Sequence, residues 1–306
     1  MFVVRNRTLF FILTGALLAI SIGAIAVFGL PLSIDFKGGS LEEVTYTQAR
    51  PSLETLKASV DQLALGEVSL RESGENGVVL RSRTLTPDEH ATVLTVLSQN
   101  GAAPLTEDRF NSIGPALGAE LGLKALYAIG AVTFAIMLYI AWAFRRVSRP
   151  VPSWGYGIIA VLMLMIDIIV PTGFYAIYCY FTGAQVDTLF VVALLALMGY
   201  CINDVIIIFD RVREHLSNNE LQHLVEDFEV TVGKSITETL GRSINTALTV
   251  VLALTALIVI GGEATKNFAI VMLVGVVAGT FSSVCRSAPL LIPISEYFAK
   301  KNSGKK

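Results

Sequence analysis

The chain has 306 residues, 53% of them apolar and 16% charged, and a formal net charge of -2. That balance excludes an ordinary soluble globular domain and points to lipid. A nucleic-acid partner is not expected.

Six largely apolar runs, three of them carrying a single charged residue, are each long enough, at about 20 residues, to cross the hydrocarbon core as a helix. The first, Leu9 to Leu30, follows Arg5 and Arg7. Its 22 residues exceed the apolar region of a signal peptide, about 7 to 15 residues, so it reads as a retained span. The others run roughly from Ala125 to Phe144, Trp154 to Tyr178, Thr188 to Phe209, Ile244 to Ile260 and Phe268 to Ile294.

Lys and Arg near the span ends set orientation, because short cytoplasmic loops carry the excess. One side collects Arg5 and Arg7, then Arg145, Arg146 and Arg149, then Arg211, Arg213, Lys234 and Arg242, then Lys300, Lys301, Lys305 and Lys306. Only Lys266 stands in the short loops opposite. Both termini are therefore expected in the cytoplasm. The chain divides into a cytoplasmic start and first span (1–30), an extracytoplasmic domain (31–122), the remaining five-helix bundle (123–297) with a cytoplasmic loop near 210–242, and a basic cytoplasmic tail (298–306).

Within the hydrophilic segment, Leu41 to Thr47 alternates as a strand, and Pro51-Ser52 opens a helix through Leu65 with Leu53, Leu56, Val60 and Leu63 on one stripe. Val68–Glu72 and Val78–Arg83 read as strands joined at Glu75-Asn76-Gly77, an Asn-Gly hairpin signal. A helix from Thr86 to about Gln99 and a strand from about Leu105 to Asn111 follow. The order βαββαβ predicts a small α+β ferredoxin-like domain. No nucleophile with a recognisable base lies in it, so it reads as a scaffold or a surface for extended polypeptide.

Cys179, Cys201 and Cys285 lie in or beside spans and form neither a disulfide framework nor a metal spacing. His215 and His223, eight apart, do not match a zinc pair and belong to a solvated helix. No catalytic, cofactor or metal site is expected, and the chain is not read as an enzyme.

A charged side chain in hydrocarbon needs a partner, water or a function. Asp167 sits near the middle of the third span, and Asn203 and Asp204 lie in the fourth. Asp204 is about one and a half turns inside Asp210, itself either part of the same polar path or a headgroup-level residue. Arg242, entering from the same side on the fifth span, can reach the level of Asp204, with Asn245, Thr246 and Thr249 below it as a polar stripe. Arg286 either pairs with an aspartate or snorkels to the headgroups, the second being preferred. Gly275 and Gly279, four apart, predict close helix packing.

Four motifs carry a family resemblance: Asp35-Phe36-Lys37-Gly38-Gly39-Ser40 outside the first span, Gly199 to Glu214 in the fourth, Ser235 to Thr246 in the fifth and Leu273 to Ser283 in the sixth. Together they resemble the SecF side of the SecD/SecF family, relatives of the proton-driven RND transporters. The resemblance implies a subunit that works with a SecD-like membrane protein beside a SecY-containing channel, using the proton gradient to help move a translocating polypeptide. A small accessory membrane protein belongs to the same implied assembly. On that likeness Asp204 and Arg242 correspond to proton-pathway positions, with Asp167, Asn203 and Asp210 as further candidates. The chain departs from the family pattern at Ile166, where a histidine is usual, and at Cys285-Arg286, where apolar or small residues are usual.

Three rival readings share these features: half of a small-molecule or lipid exporter, an aspartyl intramembrane protease built on Asp167 and Asp204, and a purely structural subunit. The single six-span unit counts against the first, and an arginine near Asp204 counts against the second.

Overall fold

The computed structural model describes residues 2–66, 68–145 and 151–303. Arg146, Arg149, Lys305 and Lys306, used above for orientation, lie outside the described residues. Two compact units emerge: a helical unit of 1–31, 128–184 and 189–306, and a mixed unit of 32–127 with 185–188.

The mixed unit contains α3 (Ile34–Lys37), β1 (Gly39–Tyr46), α4 (Leu53–Asp61), β2 (Ser69–Ser73), β3 (Gly77–Ser82), α5 (Pro87–Leu97) and β4 (Leu105–Ile113). Its antiparallel sheet has the order β2-β3-β1-β4, the ferredoxin-like arrangement that the βαββαβ pattern predicts. Alternation along β1 turns Ser40, Glu42, Val44 and Tyr46 inward, where Val44 and Tyr46 join Leu56, Val60, Val78, Leu80, Val93 and Leu97 in a closed core. Each such aliphatic side chain contributes about 1.5–3 kcal/mol by leaving water.

Local chemistry fixes the helix ends. Ser52 caps α4, accepting from the Thr55 amide at 3.3 Å. Thr86 and Glu89 form a reciprocal capping box at the start of α5, with Pro87 in the first turn. The α4 helix stops at Asp61 rather than Leu65, because Ala64 at φ 52° and Gly66 at φ 81° turn left-handed. In the β2–β3 hairpin the left-handed residue is Gly74 at φ 60°, so the loop is the three residues before Gly77 rather than an Asn-Gly pair.

The helical unit comprises α1 (Phe2–Arg5), α2 (Arg7–Phe28), the continuation of α6 (Pro115–Ala143), α7 (Ser153–Thr182), the continuation of α8 (Thr188–Leu221), α9 (Phe228–Ile260), α10 (Glu263–Ser282), a π-helical turn (Ser283–Ser287) and α11 (Leu291–Ser303). Among the described residues, six helices are long and apolar enough to cross a membrane, the last being α10 with its extension through the π turn. The single predicted sixth span is thus interrupted. Pro289 lacks an amide and clashes with the preceding turn, which wide π geometry relieves.

Packing centres on α7. A Cβ at Gly173 would lie 2.5 Å from Ser21 Cα, so α2 and α7 meet backbone to backbone there. Phe144, Tyr156 and Phe209 form an aromatic knot, with centroids 5.2–6.1 Å apart.

Candidate functional site

Helix α9 carries hydroxyls at a four-residue spacing, Thr231, Ser235, Thr239 and Ser243, and all four are buried. Ser235 donates to the Thr231 carbonyl at 2.8 Å and Thr239 to the Ser235 carbonyl at 2.9 Å. Small hydroxyls can turn inward because they back-bond to their own helix. Arg242, Asn245 and Thr249, the core of the polar stripe expected from sequence, are instead exposed. One residue along a helix is a rotation of about 100°, so Ser243 looks into the bundle and Arg242 does not.

Asp204 of α8 is 2% exposed and is faced by Ser243 and, through space, by Arg242. Its Oδ2 and the Ser243 hydroxyl have no hydrogen-bond partner. One turn earlier on α8, Cys201 lies within electrostatic range of both Asp204 and Asp167. Asp167 of α7 is also 2% exposed and is faced by Ser282, Arg286 and Cys201. Arg286, carried by the π turn, is only 3% exposed, so it is enclosed opposite Asp167 rather than snorkelling to headgroups as expected. Both Asp167 oxygens and two Arg286 nitrogens, Nε and Nη1, lack hydrogen-bond partners. Buried polar atoms left unpaired in a native fold call for an explanation.

The result is a polar chain across four helices: Arg286, Asp167, Cys201, Asp204 and Ser243. Gly279 makes room for it, since a Cβ there would strike Cys201 Sγ and lie 3.9 Å from Asp167 Cγ. Gly275 likewise accommodates the Leu197 side chain. The two glycines admit side chains of α8 rather than a neighbouring backbone. Asn203 is exposed, and Asp210 is an exposed partner of Arg213 at 2.7 Å, so neither joins the chain. Sequence reasoning passed over Cys201, Ser282 and Ser243, and misjudged Arg286. The legible signal was Gly279, Ser282 and Arg286 at spacings of three and four along one helix face.

The Asp35–Gly39 motif occupies the mixed unit. Asp35 Oδ2 accepts from the backbone amide of Thr188 at 2.8 Å and from its hydroxyl at 2.9 Å, so it caps the start of α8 from another segment. Ser33 caps α3, and its amide donates to the Val186 carbonyl at 2.8 Å, which pins the same junction. Asp35→Ala should cost about 1 kcal/mol through loss of this cap, while Asp35→Asn retains most of it. Hydrogen exchange at the Thr188 amide is the measurement, and equal protection in Asp35→Ala would remove the capping role.

The family described as "Protein export membrane protein SecD/SecF, C-terminal" matches residues 93–297, and "SecD/SecF GG Motif" matches residues 23–49. Protein translocase subunit SecF of Anaerolinea thermophila is 36% identical over 292 residues, covering 95% of this chain and 92% of that protein. Protein translocase subunit SecDF of Bacillus subtilis is 30% identical over 298 residues, covering 97% of this chain and 38% of the relative. The crystal structure of SecDF, a translocon-associated membrane protein from Thermus thermophilus, matches with a TM-score of 0.79 at 27% identity, over 95% of this chain and 38% of that one. The chain belongs to the SecD/SecF family of protein-export membrane proteins, as a multi-pass, SecF-type accessory subunit of the Sec translocase.

Proposed function

We propose that this subunit couples the proton gradient to protein export, working with a separate SecD-like chain beside a SecY-containing channel. The carrying observation is the buried chain in which two carboxylates, Asp167 and Asp204, flank Cys201, with Arg286 beyond one and Ser243 and Arg242 beyond the other. A carboxylate that gains a proton stops answering a guanidinium, so each proton changes which helix faces attract. One charge moved across 100 mV supplies about 2.3 kcal/mol, enough to bias two packings of a bundle. The π turn that carries Arg286 is the segment best suited to shift, because its hydrogen bonds are already irregular.

The basic residues near the span ends orient both termini to the cytoplasm and the βαββαβ unit to the outside, where it meets the emerging polypeptide. The SecDF relatives are matched over 38% of their length, and on this reading a separate SecD-like chain corresponds to the remainder.

The test is reconstitution with a SecD-like partner and the channel in vesicles carrying an imposed proton gradient. Asp167→Asn and Asp204→Asn should each abolish gradient-dependent stimulation of export while the variants still co-purify with the partner. Undiminished stimulation in both variants would make this a structural subunit.

A further inference from the structure

The mixed unit holds a cluster of titratable side chains, Glu42, His90 and Glu107, that the proposed function does not use. Glu42 points from β1 into the helix-covered side of the sheet and its side chain is 0% exposed. His90, in the first turn of α5, brings Nε2 to 2.8 Å from Glu42 Oε2 and 3.6 Å from Glu107 Oε1. The three donor atoms all lie within 4.8 Å of one another.

A break in strand register creates this convergence. Glu42 stands opposite Phe110, and strict alternation along β4 would turn Asp108 inward and Glu107 outward. The bulge at Glu43/Val44 pairs Val44 with Glu107 instead, which brings Glu107 to the Glu42 side. Thr45 secures the displaced residue by donating to Asp108 Oδ2 at 2.6 Å. The His90 ring is fixed as well, stacked on Phe110 with centroids 3.8 Å apart and planes at 16°.

Glu42 is the unusual member. Both its oxygens and His90 Nε2 are buried without a hydrogen bond of acceptable geometry, although Nε2 and Oε2 are close enough for one. Donors held about 2.0–2.2 Å from one tetrahedral ion stand roughly 3.3–3.6 Å apart; the His90–Glu107 separation of 3.6 Å matches this, and the His90–Glu42 pair at 2.8 Å would open by about half an ångström on binding.

We propose that Glu42, His90 and Glu107 form a binding site for a divalent transition-metal ion of the zinc class, clamping α5 to the sheet. One neutral imidazole and two carboxylates match the charge and ligand preference of such an ion. Three protein ligands leave a coordination position open, and entry is from the side of Glu107, whose side chain is 36% exposed. The spacing of 48 and 17 residues between ligands hides the site from sequence, because three separate elements supply one donor each.

The experiment uses the full chain in detergent, purified through a tag without histidines and stripped with a chelator. Zn²⁺ is titrated calorimetrically, and Co²⁺ is used as an optical probe. The expected result is one equivalent of Zn²⁺ and a Co²⁺ ligand-field spectrum without a thiolate charge-transfer band. His90→Asn and Glu107→Gln should each weaken Zn²⁺ binding at least tenfold while leaving the circular dichroism unchanged. Glu107→Gln keeps the test valid if His90→Asn misfolds, because Glu107 is the most exposed ligand. Absence of a bound equivalent in the parent chain, or one that survives Glu107→Gln at full affinity, would overturn the site.

Discussion

Arg286→Ala should destabilise the helix bundle by about 1–3 kcal/mol, because it leaves the buried Asp167 carboxyl without the guanidinium that faces it. Both groups are enclosed, at 3% exposure for Arg286 and 2% for Asp167, so water cannot replace the lost partner cheaply. The double variant Asp167→Asn/Arg286→Gln removes both charges and should recover part of the stability, since no buried charge is left without its opposite while the two amides still have to be satisfied. It should not recover gradient-dependent export, because an amide neither takes up nor releases the proton. Thermal melting of the purified chain gives the first quantity, and the vesicle assay gives the second. Additive destabilisation in the double variant would mean that the two side chains do not interact. Recovered export would place the coupling proton elsewhere.

The placement of Asp167 opposite Arg286 illustrates where the sequence was readable and where it was not. Six spans, the βαββαβ order and the strands within a residue or two follow from periods of 3.6 and 2 and from turn chemistry, all of which are local. The two buried aspartates were equally legible, because a carboxylate inside an apolar run stands out by cost alone. Their partners were not. Which face of α9 turns inward depends on the neighbouring helices, and a rotation of one residue exchanges Arg242 for Ser243 as the group directed at Asp204. Arg286 looked free to snorkel on a straight helix, but the π turn ahead of Pro289 encloses it against α7. The Glu42–His90–Glu107 convergence was further out of reach, since a one-residue bulge decides whether Glu107 faces the cluster or the opposite side of the sheet.

Gly38→Ala should be far more damaging than Gly29→Ala, although the two glycines share a backbone region closed to other residues. Gly38 has φ 79° and ψ 166°, and Gly29 has φ 69° and ψ -175°. The conformational penalty, about 1–3 kcal/mol, is therefore common to both substitutions. Their surroundings differ. A Cβ on Gly29 meets nothing within 4 Å, whereas on Gly38 it would fall 2.6 Å from Pro115 Cα and 2.8 Å from Pro115 N. Those are backbone atoms at the start of α6, held on their other side by the run into β4, and they cannot rotate away as a side-chain tip would. Gly39 is crowded in the same way, at φ 131° with a Cβ 2.7 Å from the Ser82 carbonyl. Each of these two substitutions should therefore add about 1–3 kcal/mol of steric strain to the shared penalty, the usual range for overpacking. The resulting melting midpoint should fall several degrees below that of Gly29→Ala. Equal midpoints for Gly29→Ala and Gly38→Ala would mean that the motif needs glycine for its backbone angles alone. A larger drop at Gly38 would identify close contact with the α6 start as the reason a side chain is excluded there.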